Sequence, residues 1–130
     1  MESEAGKLLT TYALLGTLFR DSELLAMKRA AVLSLEKNRG ELVQARSDVK
    51  NGKYDKARKA LEQLVKLSGE AVARSGATEG PGVELYDRFC GCSFEIECKN
   101  RVAAFNALTG AIQFVDELKG KVQRGEFDDK

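Results

Sequence analysis

Apolar residues recur at spacings of three and four along almost the whole chain, the period of an amphipathic helix and not the alternation of a half-buried strand. Leu8, Tyr12, Leu15 and Phe19 make one stripe and predict a first helix over 3–19. Arg20-Asp21-Ser22-Glu23 supplies capping and early acidic residues, so a second helix is expected from near Ser22. Its stripe opens with Leu24, Met27, Ala31 and Leu35 and continues through Leu42, Ala45 and Val49 to Lys50. Asn38-Arg39-Gly40 interrupts the pattern with helix-ending residue types, and the stripe on both sides favours continuity over a break there.

Asn51-Gly52 is the clearest stop signal, because Gly after a helix takes the left-handed conformation at low steric cost. A third helix carries Tyr54, Ala57, Leu61, Leu64, Val65 and Val72 inward and runs to about Arg74. Residues 75–82 hold three Gly and the chain's one Pro and read as a flexible loop, followed by a short helical turn over 83–89. Gly91 is expected to separate that turn from a last long helix. It starts near Ser93 or Phe94, carries Phe94, Cys98, Phe105, Leu108, Ile112, Val115 and Val122, and ends at Gly125 before a frayed tail over 126–130.

The expected fold is therefore all-α: one domain over 1–130, an antiparallel bundle of about four main helices in elongated hairpins, with one Gly/Pro-rich loop. Its core should hold Leu8, Tyr12, Leu15, Phe19, Leu24, Leu35, Leu42, Leu61, Leu64, Phe105, Leu108, Ile112 and Val115.

Val49 to Asp55 and Val122 to Asp128 share Val, Gly, an aromatic residue and Asp at equal spacing. The physical reading is one helix-terminating device used twice, Gly as the cap and the aromatic folding back on the preceding turn. Residues 51–64 also resemble the second helix of a tetratricopeptide unit, without a matching first helix or a repeat at that period. In general look the chain is similar to the small helical subunits that line RNA-guided ribonucleoprotein complexes, a likeness of architecture alone.

Composition narrows the chemistry. There is no His and no Trp, so the side chain most used for acid–base catalysis near neutral pH is missing, and no nucleophile is paired with a base by any motif. Glu84 with Asp87 and Glu95 with Glu97 do not recur on a second helix as a carboxylate metal site requires. Cys90, Cys92 and Cys98 are an odd set with only one residue between the first two, short of a structural zinc site, and Cys98 is expected in the apolar seam. No catalytic residue, metal or cofactor is assigned. No membrane span or secretory leader is read, and a cytoplasmic protein with free thiols is expected.

The formal net charge is +1, so an anionic partner must be met by a local patch. Residues 46–66 carry seven basic side chains, Arg46, Lys50, Lys53, Lys56, Arg58, Lys59 and Lys66, against three acidic ones. Lys56, Lys59 and Lys66 fall opposite the Leu61/Leu64 stripe, the kind of face that binds phosphate backbones. Leu25, Val32 and Val43 lie to one side of the second helix's main stripe, and Ala104 and Ala111 are small residues suited to close helix approach, so these five either complete an internal core or form a protein interface with another chain. The expected function is a non-enzymatic interaction or assembly subunit that presents helix faces to a protein partner or to its own copy. The alternative is an RNA- or DNA-binding subunit using the basic face.

Overall fold

The computed structural model describes residues 24–127. The expected first helix with Leu8, Tyr12, Leu15 and Phe19, and the last three residues of the expected tail, lie outside that range. Four helices follow one another: α1 (Leu24–Lys50), α2 (Tyr54–Ser75), α3 (Pro81–Glu97) and α4 (Arg101–Gln123). Among the described residues there is no strand. Each helix packs against the next, and α4 returns to α1 in the most extensive contact of the set, so the four close into an antiparallel bundle.

The α1 helix passes through Asn38 and Gly40 without a break. A side chain at Gly40 would meet nothing within 4 Å, and Asn38 is buried in the flank of the bundle. Here the stripe overrides the local stop signal. Leu35, Leu42 and Val49 of α1 are fully buried, and Leu61 and Leu64 of α2 face them across the core. Each fully buried leucine contributes about 1.5–3 kcal/mol relative to exposure.

After Lys50, the Gly52 N–H donates to the Val49 carbonyl and the Lys53 N–H to the Asp48 carbonyl, with Gly52 at φ 75°. After Gln123 the same pair of bonds recurs, Gly125 N–H to Val122 and Glu126 N–H to Lys121, with Gly125 at φ 78°. Both are Schellman caps, and the aromatic that follows each, Tyr54 or Phe127, is half-buried against the core. Phe127 and the Arg124–Glu126 ion pair anchor the first two residues of the segment expected to fray.

The second half of the chain departs from the expected element boundaries. The loop is confined to 76–80, because Pro81 occupies the first turn of α3, where its missing N–H and fixed φ suit a helix start. The expected short turn is instead a 17-residue helix that buries Gly82, Leu85, Phe89, Cys92 and Ile96 at spacings of three and four. Gly91 sits on its exposed side and breaks nothing. The true break is at 98–100, where Lys99 N–H donates to Ile96 and Asn100 N–H to Glu95 in the same capping geometry, with Lys99 at φ 54°. Asn100 then caps α4 by accepting the Ala103 N–H at 3.1 Å.

Candidate interaction surfaces

Phe94 and Cys98, expected in the seam of one long last helix, belong to α3 and its end and are solvent-exposed. The thiol inside the core is Cys92, whose pKa burial pushes up to about 12 against the opposing pull of Arg88. Cys90, half-buried and two residues away, points along a different face and hydrogen-bonds the Tyr86 side chain, which raises the tyrosine's pKa. Among the described residues no three His, Cys, Asp or Glu side chains converge on a point that could hold a metal ion.

The five residues expected either in the core or at a protein interface divide into two groups. Ala104 and Ala111 are fully buried in this bundle's own core, where their small size lets α4 approach its neighbours. They are not part of an outer face. Leu25, Val32 and Val43 do remain on the outside of α1, spaced seven and eleven residues apart and so within about 20° of one line over about 27 Å. Val32 and Val43 are half-buried, while Leu25 is 62% exposed and Leu33 beside it 59% exposed.

This line runs beside α4 and forms an outer α1/α4 groove with two open depressions. One, of about 490 Å³, is lined by Leu25, Lys28, Arg29, Val32, Leu33 and Gln123. The other, of about 370 Å³, is lined by Val43, Arg46, Ser47, Lys50 and Phe105. Between them the groove floor is bridged by Arg39–Asp116 at 2.8 Å and Lys119–Glu36 at 3.7 Å. Both depressions are lined by apolar and basic side chains together. Glu41, half-buried on the same helix, has its carboxyl raised above its ordinary value by burial, with Lys37 at 3.8 Å opposing the shift.

The seven basic residues singled out in the sequence are scattered over several surfaces. Arg46 is turned inward onto Phe105 and Thr109, and Lys50 lines the depression beside Phe105. Arg58 is held by Glu62 at 2.8 Å and Asp55 at 3.9 Å. Lys59 and Lys66 are exposed on the outer side of α2. Lys53 and Lys56 border a cleft of about 240 Å³ that also takes in Gly52, Tyr54, Asp55 and Lys99. Lys99 comes from the α3–α4 turn and no sequence pattern linked it to Lys53. At the same end Arg101 reaches Tyr54 Oη at 3.4 Å, and α2 begins there with no side-chain cap on its first N–H groups.

Phe94, 56% exposed, and Val102, 71% exposed, flank that turn, and the seam expected from the sequence includes Phe94 but not Val102. Among the described residues no helix is long and apolar enough to cross a membrane. No protein-family model, curated protein or solved structure matches the chain.

Proposed function

We propose that this protein is a non-catalytic interaction or assembly subunit that receives an amphipathic helix of a partner protein in the outer α1/α4 groove. The observation that carries the reading is the pair of exposed leucines, Leu25 and Leu33, at the depression beside Gln123, with half-buried Val32 and Val43 on the same line of α1 beside α4, the two depressions being separated by the Arg39–Asp116 and Lys119–Glu36 ion pairs. Apolar patches of this kind on a small domain mark docking sites, and a helix laid along a groove is met at spacings of three, four and seven. Arg29 and Lys50 at the rims favour a partner helix flanked by carboxylates.

The test is site-specific photo-crosslinking in cell extract from probes at Leu33 and at Val43, with a control probe at the exposed Glu79 of the 76–80 loop. The expected result is one shared adduct from positions 33 and 43 that the control lacks, and that Val32→Glu suppresses. Adducts of equal pattern from all three positions would remove the groove from consideration.

A second reading, binding of a polyanion such as RNA, is favoured by the convergence of Lys53, Lys56 and Lys99 on the uncapped start of α2. Under this reading the variant Lys53→Glu/Lys56→Glu/Lys99→Glu loses RNA affinity and the wild type loses it steeply with added salt. Salt-independent or undiminished binding counts against it.

A further inference from the structure

We propose that two copies of this chain pair through the outer face shared by α2 and α3, Lys59 and Lys66 of one copy standing opposite Glu97 and Asp87 of the other. This face is distinct from the α1/α4 groove, and the inference stands whether or not that groove takes a partner.

Lys59 and Lys66 lie seven residues apart on one line of α2, are exposed, and form no ion pair among the described residues. Asp87 and Glu97 of α3 are likewise exposed and unpaired. Arg58 is paired with Asp55 and Glu62, and Arg88 with Glu84, which leaves Lys56, Lys59 and Lys66 of α2 and Asp87, Glu95 and Glu97 of α3 as the charges without an ion pair in this span among the described residues. What remains toward the 51–53 end is a basic α2 beside an acidic α3.

The heights of these charges match. The Tyr86 ring lies against Gly69, where an added Cβ would come within 3.1 Å of it, and this contact fixes how far α2 and α3 are slid past each other. Counted from it toward the 98–100 turn, Lys66 and Lys59 stand three and ten residues down α2, and Asp87 and Glu97 one and eleven residues down α3. At about 1.5 Å per residue, and with the Tyr86 side chain itself reaching back up to a turn along α3, both pairs match in height to within about one helical turn. Glu70 lies beyond Gly69, outside this span.

A two-fold axis parallel to the helices sets α2 of each copy against α3 of the other, so that each lysine meets a carboxylate and every pair occurs twice. Phe94, 56% exposed on α3 between Asp87 and Glu97, is then covered by the partner's α2. Exposed ion pairs contribute little energy singly. Here they set register and partner choice, and the two covered phenylalanines supply the apolar contribution.

The experiment is a charge-reversal pair read by sedimentation equilibrium on the full chain. Wild type is expected at twice 14.3 kDa in the micromolar range. Lys59→Glu/Lys66→Glu and Asp87→Lys/Glu97→Lys are each expected as monomers that keep the helical circular dichroism signal, and their equimolar mixture as a 1:1 dimer. The proposal is overturned by a wild type that stays at 14.3 kDa, by a dimer that survives either reversal, or by variants that stay apart on mixing. It is also overturned if wild type is monomeric and the lysine reversal removes RNA binding, which would make the row an anion-binding face.

Discussion

The guanidinium of Arg46 lies 5.4 Å from the centroid of the Phe105 ring and donates to Thr109 Oγ1 at 3.1 Å, two contacts one turn apart on α4. Thr109 in turn donates to the Phe105 carbonyl at 2.9 Å, so the three residues form one unit across the α1/α4 seam. A residue that reads as part of a basic patch is thereby a structural clamp. A cation–π contact and a hydrogen bond to a charged donor together predict a loss of about 1–2 kcal/mol for Arg46→Ala in denaturant unfolding. Arg46→Lys should recover less than half, since an ammonium cannot stack and bond in one plane.

Lys99 holds a left-handed conformation that costs a side chain roughly 1–2 kcal/mol, and it does so in the same capping geometry that Gly52 and Gly125 serve elsewhere. Lys99→Gly should therefore raise stability by about 1 kcal/mol, and Gly52→Ala should lower it by a similar amount or more, because the new Cβ also meets Arg101 at 3.3 Å. Gly40→Ala should stabilise by about 0.5–1 kcal/mol, being in mid-helix with open space around it. Three thermal melts check the three signs, and a destabilised Lys99→Gly would contradict the capping assignment.

Thiol chemistry should separate the cysteines. Cys98 is exposed, whereas Cys92 is buried with its thiol held protonated up to about pH 12. Native protein treated with a thiol-reactive disulfide at pH 8 should modify Cys98 first and leave Cys92 untouched until denaturant is added. Peptide mapping that finds Cys92 labelled in the native state would show that α3 opens far more readily than a core helix should.

Glu41 provides a pH-dependent test. Burial raises its folded-state pKa above the ordinary 4.5, so the folded form binds the proton more tightly than the unfolded one. Stability is therefore lost as pH rises from 4.5 through the folded-state value. Glu41→Gln should melt higher than wild type at pH 7, with the gap closing below pH 4.5. A variant less stable than wild type at pH 7 would mean that Lys37 outweighs the burial.

The sequence and the structure agree where a strong signal and a strong stripe coincide. The Asn51-Gly52 stop, the continuity of α1 and the inward set of Leu35, Leu42, Leu61, Leu64, Leu108, Ile112 and Val115 were all legible from spacing. The α3 helix was not, for a specific reason. Its closing turn places Lys99 where glycine is usual, while the nearby glycine, Gly91, sits in mid-helix and drew the boundary to the wrong place. With α3 unseen, Leu85, Phe89, Cys92 and Ile96 could not be assigned to the core, and Phe105, half-covered by Arg46, was assigned to it too fully. Asn100 as an N-cap was the signal that could have corrected this. The cluster of Lys53, Lys56 and Lys99 depends on two turns meeting in space, which no local pattern encodes.

The seam between α1 and α4 joins the two described helices farthest apart in the chain, and it is also the broadest contact in the bundle. Its clamps link Arg46 to Thr109 and Arg39 to Asp116, across 63 and 77 residues. Adjacent helices can zip through links of three to five residues, but this last closure must wait for a long loop of chain to be gathered in. Unfolding should accordingly be all-or-none, with neither hairpin persisting alone, and substitutions in this seam should speed unfolding more than they slow refolding.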